Sequence, residues 1–434
     1  MNDSEKEIVS LAQEISELIN SQFFLDPMMM TKIKKMREFS CREKGKFLQA
    51  IHSTKIIELL CPLLSLPHPD LIHEILWLFT NIAFGPKEMV LSLVSNNILE
   101  KIKMIITRSD DYSCIEQAFT CCANIAGEKS IKDLLFEEKI DFVIMEFLTK
   151  RNAADLNVKM YKVIAFLLSN LIREAVNYID RINPFFEYAA QFLLLENEDL
   201  SYEALWIFYY FMELGEDYIF KLINSGIVTK IIKNLYFPND RIKWVSIKIL
   251  GIIAFKNNLS EILFKNNIYI FLNSVLDTNK NTLRKECLWL ISNLTAEINE
   301  EGLNLFVESN LVQKIIKIIE NDEFTIAKEG VYVFANFVQS SSEFPDLISK
   351  FAQKNGFHII LEQLEKFRSE KCEFLINLLN ALETFLCLGY QFNDYFKIFN
   401  EMNGIKILKD LFWHEDNRIN EKARKIYNEF VEFQ

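Results

Sequence analysis

The chain has 434 residues, half of them hydrophobic, which is enough for a large buried core in two or three globular domains or in one long array of repeats. Only 11 Gly and 8 Pro occur, a usage low enough to favour long helices over strand-and-turn architecture. The formal charge of −12 and pI of about 5.2 exclude nucleic acid as a direct partner, because phosphate backbones are repelled, and make basic peptides the electrostatic match.

The chain opens with MNDSEKEIVSLAQEISELI, acidic and amphipathic; residues 1–30 hold one Lys and no Arg. Without a basic flank followed by an apolar stretch, this segment does not read as a signal peptide. A basic run follows: Lys32, Lys34, Lys35, Arg37, Arg42, Lys44 and Lys46. Its alternation with Ile33, Met36, Phe39 and Phe47 predicts the solvated helix of a first structural repeat. Residues 1–30 are therefore expected to form an acidic helix or arm, and residues 31–434 a single repeat domain.

Beyond this point one pattern returns to the end of the chain. Short turns precede aliphatic helix starts at SNNILEKI, EEKIDFVI, INPFFEYA, NSGIVTKII, KNNIYIFL, ESNLVQKII, KNGFHIIL and MNGIKILK. Their turn residues, Asn97, Lys139, Asn183, Gly226, Asn267, Asn310, Gly356 and Gly404, lie 41 to 48 residues apart. Polar breaks at PHPD, SDDY, AADLN, ENEDL, PNDR, DTNKN, ENDEF and HEDN keep the same period. A helical unit of this length is an armadillo or HEAT repeat; three helices per unit point to armadillo. The expected fold is all-α: a right-handed superhelical solenoid of roughly ten repeats, in which stacking buries the apolar faces that one unit cannot bury alone.

Inside the repeats a trio recurs: Glu74-Trp77-Asn81, Glu203-Trp206-Tyr210, Glu286-Trp289-Asn293 and Glu329-Tyr332-Asn336. Spacings of three and four place each trio on one helical face. An isolated helical aromatic is more often core than contact surface, but three of the five tryptophans fall in register; Trp244 and Trp413 do not and are assigned to packing. An asparagine one turn beyond each ring is awkward in a dry core. On an open face it can bond an extended peptide backbone, while the indole takes a Lys or Arg stem through cation–π contact and the carboxylate meets the charged head.

No catalytic motif accompanies this pattern. Five histidines (His52, His68, His73, His358, His414) are scattered without metal-ligand spacing, and no Gly-rich phosphate loop occurs. Eight cysteines (Cys41, Cys61, Cys114, Cys121, Cys122, Cys287, Cys372, Cys387) show no CxxC, most fall in apolar helical runs, and a reducing compartment fits them. No apolar run approaches the ~20 residues of a membrane span. The reading is a soluble, intracellular, non-enzymatic protein with no cofactor, metal or membrane partner.

The trio helices resemble those of the importin-alpha family, adaptors that bind nuclear localisation signals. ILWLFTNIAFG looks like that family's second-repeat WxxxN helix, EQAFTCCANIAGE its third, IAFLLSNLIRE its fourth and YEALWIFYYF its fifth, where Tyr replaces Asn in the family too. SIKILGIIAF resembles the sixth, with a basic residue, Lys248, for the tryptophan. RKECLWLISNLTAE is the nearest match, KEGVYVFANF resembles the eighth, NALETFL the ninth, and HEDNRINEKARKIYNEFVEF the last. The likeness covers nearly everything after residue 40.

This resemblance implies a major signal-binding site of Trp77, Asn81, Gln117, Asn124, Phe166, Asn170, Glu203 and Trp206, with a lysine pocket at Glu128 and the Gly85 carbonyl. It implies a minor site of Glu286, Trp289, Ser292, Asn293, Glu329, Tyr332 and Asn336, with Lys248 orienting the linker of a two-part signal. It also implies nuclear import as the function, basic signal peptides and importin-beta as partners, and residence in cytoplasm and nucleus. Several positions depart from the pattern: Thr120 stands for a tryptophan, Phe166 and Tyr332 for two indoles, Val90 for a threonine lining the lysine pocket, and Glu128 for an aspartate. The family's Arg- and Lys-rich importin-beta-binding arm has no counterpart in residues 1–30, so neither the usual autoinhibition nor the usual route to importin-beta is expected. An armadillo scaffold binding basic partners outside nuclear transport is the alternative.

Overall fold

The computed structural model describes residues 3–21, 26–42, 44–52, 54–150, 157–256, 260–296, 299–369, 373–389 and 394–432. Cys372 and the side chains of Lys44, Lys46 and His52 lie outside them. The described residues form helices and turns and no strand. From residue 44 onward the helices come in threes, two short and one long, each set repeating one armadillo unit. This is the all-α armadillo-repeat class that the periodicity predicts.

The chain separates into two compact units, Met1–Tyr218 and Ile219–Gln434. In the first, α1 (Asp3–Asn20) and α2 (Pro27–Arg42) precede the long helices α3 (Pro69–Ala83), α4 (Tyr112–Ala126), α5 (Val158–Ile172) and α6 (Glu198–Leu214). In the second the long helices are α7 (Asp240–Ala254), α8 (Asn281–Ala296), α9 (Phe324–Ser340), α10 (Glu373–Gly389) and α11 (Asn417–Phe430). Within each unit successive long helices pack side by side.

Six of the eight polar breaks of the sequence turn out to hold side-chain helix caps; at ENDEF, Glu323 precedes the helix without a side-chain cap bond. His68, Asp111, Asn157, Asn197, Asn239 and Asp416 accept backbone N–H bonds at the starts of α3, α4, α5, α6, α7 and α11. Each cap satisfies a donor that the first turn leaves unpaired. Of the eight predicted turn residues, Asn97, Lys139, Gly226 and Asn267 have left-handed backbone. At KNGF and MNGI the left-handed residue is Asn355 or Asn403, one position earlier than expected. Gly356 and Gly404 instead open the next helix, where a Cβ would lie 2.4 Å from the Phe351 ring and 2.1 Å from the Phe399 ring. Asn183 and Asn310 are right-handed.

Residues 3–20 do not stand apart as an arm. Ile8, Leu11, Ala12 and Ile15 form a buried stripe at helical spacing, and α1 packs on α2 and on the helix Lys44–His52. The basic run is correspondingly less solvated than predicted: Lys32 pairs with Glu14, and Lys35 with Glu7 at 2.7 Å. Cys61, Cys114, Cys121, Cys122 and Cys287 are buried core thiols. Burial raises the pKa of Cys61 to about 11 and of Cys122 to about 12, so neither is a reactive thiolate. No helix among the described residues is long and apolar enough to cross a membrane.

Candidate functional site

In the first unit α3 to α6 carry the residues predicted for the major site. Trp77 is 37% exposed, but its face is already covered: the Arg37 guanidinium carbon lies 3.9 Å from the ring centroid. Arg37 Nε also donates to Glu74 at 2.7 Å, and His73 meets the indole edge-on at 5.7 Å. Gln117 donates to the Thr80 hydroxyl at 2.7 Å. Glu128 caps the turn that follows α4, its carboxylate accepting from the Ser130 N–H at 3.0 Å and hydroxyl at 2.7 Å, which holds it below the usual carboxylate range. Val90 is core, 2% exposed. Phe166 is half-buried. Glu203 accepts from the Ser169 hydroxyl at 3.1 Å, and Trp206 stacks on Tyr210 at 5.4 Å and 22°.

The second unit places the minor-site residues on α7, α8 and α9. Lys248 reaches Glu286 at 3.2 Å and lies 4.8 Å from the Trp244 ring, which places Trp244 beside the candidate minor-site residues. Trp289 is half-buried against α7, so close to Gly251 that a Cβ there would stand 2.1 Å from the ring. Ser292 is buried and donates to the Trp289 carbonyl at 2.8 Å. Glu329 makes no ion pair among the described residues; burial pushes its carboxyl up, opposed by Lys285 and Lys328. Tyr332 meets Phe374 edge-on at 5.9 Å, with the Lys328 ammonium 5.4 Å from its ring.

The asparagines share one arrangement. Asn124 Nδ2 donates to the Thr80 carbonyl, Asn170 to Ala123, Asn293 to Gly251 and Asn336 to Ser292, each at 3.0 Å. Each acceptor sits on the preceding long helix, one residue before the position equivalent to asparagine. The amide therefore staples one repeat to the next, which answers how it tolerates partial burial. One N–H of each amide is used in this way; the second N–H and the Oδ1 retain hydrogen-bonding capacity. Asn81 differs: it donates to the Ser40 hydroxyl at 2.7 Å and to the Cys41 sulfur at 3.4 Å.

Basic side chains bind helix ends in the same strip. Arg173 donates to the Gly127 carbonyl at 2.9 Å. Lys132 donates to the Asn170 carbonyl, and burial lowers its ammonium pKa to about 8. The sequence reading missed Arg37, Gly251 and Trp244. A signal for Arg37 existed: counting back from Ser40 and Cys41, it occupies the aromatic position of the first repeat, as Lys248 does in the sixth. Trp413, assigned to packing, is 85% exposed.

The helix triplets and the staple repeated from helix to helix define an armadillo-repeat protein. No family model matches the chain. It is 23% identical over 410 residues to importin subunit alpha-8 of Arabidopsis thaliana, covering 92% of this chain and 88% of the relative. It is 22% identical over 371 residues to importin subunit alpha-1b of Oryza sativa subsp. japonica, covering 84% and 68%. Among solved structures, an engineered protein superposes with a TM-score of 0.80 at 18% identity over 99% of both chains. A structure from work on a phosphorylation switch in the interaction between cadherin and beta-catenin superposes with a TM-score of 0.72 at 12% identity, over 97% of this chain and 86% of the other. At such identities the structural likeness fixes the fold alone.

Proposed function

We propose that this protein is an importin-alpha-like adaptor. It binds Lys- and Arg-rich nuclear localisation signals as extended segments along the Trp, Asn and carboxylate faces, for import of cargo from cytoplasm to nucleus. The observation that carries this reading is the recurrent face itself: an aromatic ring, a carboxylate and an amide with hydrogen-bonding capacity to spare. Sequence likeness to importin alpha subunits along most of the chain supports it.

The strip on α8 and α9 takes the larger share of binding. Glu329 is desolvated and makes no ion pair among the described residues, Lys285 and Lys328 only opposing the effect of burial, whereas Glu74 and Trp77 are engaged by Arg37. An anisotropy titration with a labelled basic peptide tests this: Trp289→Ala is expected to weaken binding more than Trp77→Ala. A much larger loss from Trp77→Ala would sink it.

A second reading is an armadillo scaffold for basic partners outside nuclear transport. The scarcity of basic residues in 1–30 and the docking of α1 on α2 favour it. A pull-down with importin-beta, with and without basic peptide, separates the two; retention supports the adaptor. Charge reversal at Lys32, Lys34 and Lys35 is the control, because the basic run is the surface importin-beta would use.

A further inference from the structure

The residues of α2 that face α3 engage all three members of the first trio. Arg37, Ser40 and Cys41 stand at i, i+3 and i+4, one face of a helix. The guanidinium lies on the Trp77 ring at 3.9 Å, its Nε is bonded to Glu74, and Asn81 donates to Ser40 and Cys41. A ligand lysine or arginine would seek this same set of contacts. The pair is also well sheltered, the Arg37 and Glu74 side chains being 17% and 11% exposed. On the next helix the aromatic position holds Thr120, whose hydroxyl turns back to the Glu116 carbonyl at 2.8 Å, so no second ring builds a slot on that side.

A cation at this register does not close a ring by itself. Lys248 holds the equivalent position before Trp289, yet its ammonium reaches Glu286 and lies over Trp244. Trp289 is left with Gly251 against it and no basic side chain within cation–π range among the described residues. The planar guanidinium lies flat on the Trp77 ring while its edge pairs with the carboxylate of the same trio; an ammonium is a point charge with no flat face to stack.

We propose that Arg37 is the specificity-determining residue of the first strip: it closes the Trp77 step to basic side chains. A bound basic segment is then read through Asn124, Phe166, Asn170, Glu203 and Trp206, and its residue next to Trp77 contributes no cation. This rests on the basic-peptide reading above and sharpens it.

The test uses the full chain in a Tyr332→Ala background, which weakens the second strip, and a labelled octapeptide of alternating Lys and Arg at fixed salt. Trp77→Ala is expected to change the Kd by less than about twofold, and Arg37→Ala to tighten binding about fivefold as a ring becomes available. Arg37→Ala with Trp77→Ala should erase that gain. Arg37→Lys, which keeps a charge beside Glu74 without the flat stack, should fall between wild type and Arg37→Ala, and it supplies the readout if a thermal melt shows Arg37→Ala unfolded. A loss of about tenfold from Trp77→Ala alone, or weaker binding by both Arg37 variants, overturns the proposal while leaving the basic-peptide reading standing. Absence of saturable binding by the chain with both strips intact overturns both.

Discussion

The trios at Trp77 and at Trp289 have the same spacing and two different physical states. At Trp77 the preceding helix supplies a cation for the carboxylate and the ring, and a hydroxyl and a thiol for the amide. At Trp289 the preceding helix supplies a glycine under the ring and a carbonyl to the amide, while its lysine takes the carboxylate alone. The first is self-satisfied; the second keeps an aromatic surface and has a desolvated carboxylate, Glu329, one repeat further on. A motif read along one helix is therefore only half of a site. The other half is set about 40 residues earlier, by what the previous repeat places at the same register.

The largest break in this comparison is expected from Gly251→Val. Any Cβ at 251 would overlap the Trp289 ring, and the helical backbone cannot retreat, so overpacking should cost about 1 to 3 kcal/mol. Urea denaturation followed by tryptophan fluorescence should show that loss together with weakened peptide binding in the second strip. Full stability with intact binding would mean that the ring swings away and that the glycine is incidental.

Asn293→Ala should follow closely. The amide is 8% exposed and adds the inter-repeat bond to a Gly251 carbonyl that also accepts from the Phe255 N–H at 3.1 Å, so its removal should cost about 0.5 to 1.5 kcal/mol. The matching Asn81→Ala should cost less than about 0.5 kcal/mol, because Asn81 is less buried than Asn293 and water can replace it at the Ser40 hydroxyl and the Cys41 sulfur. Equal losses from the two would contradict the staple argument.

A smaller effect is expected from Lys248→Met. Its pair with Glu286 is about one-quarter exposed on both sides, and a screened pair of that kind contributes at most about 1 kcal/mol. Stability should change little, while a basic peptide should bind up to about fivefold tighter as Glu286 becomes available. Weaker binding would show that Lys248 assists the ligand and does not compete with it.

Much of the fold is legible in the sequence because repetition multiplies weak signals. The polar breaks and Asn-type turns are local devices, and six of the eight breaks reappear as caps, with Asn97, Gly226 and Asn267 taking the backbone that such turns need. The glycines at 356 and 404 mislead because a glycine beside an asparagine reads as the left-handed residue, when here its smallness makes room for a phenylalanine. At the candidate site the pattern marks which residues share a face, yet not which are already taken. Arg37 reads as one more solvated charge until α2 is laid against α3, and the docking of α1 depends equally on a partner helix. Contacts between repeats are set by stacking, and spacing within one helix carries no record of them.

Glu329 offers the finest test of the contrast, because its carboxylate is desolvated and makes no ion pair among the described residues, with Lys285 and Lys328 only partly offsetting burial. Burial raises its pKa above the ordinary value of 4.5, so the folded chain favours the protonated form more than the unfolded chain does. The associated stability is fully present below about pH 4.5 and falls as pH rises through the folded value, leaving the ionised group as a small burden at neutral pH. Glu329→Gln should therefore flatten stability against pH in this window and leave the protein slightly more stable at pH 7. A basic peptide should do the reverse: it stabilises the ionised form, so its binding strengthens as pH rises through the same window in the native chain and loses that dependence in the variant. Parallel pH titrations of thermal stability and peptide affinity check both signs. A Glu329→Gln chain that loses stability at pH 7 would show that the carboxylate is already paired, and the distinction from Glu74 would go with it.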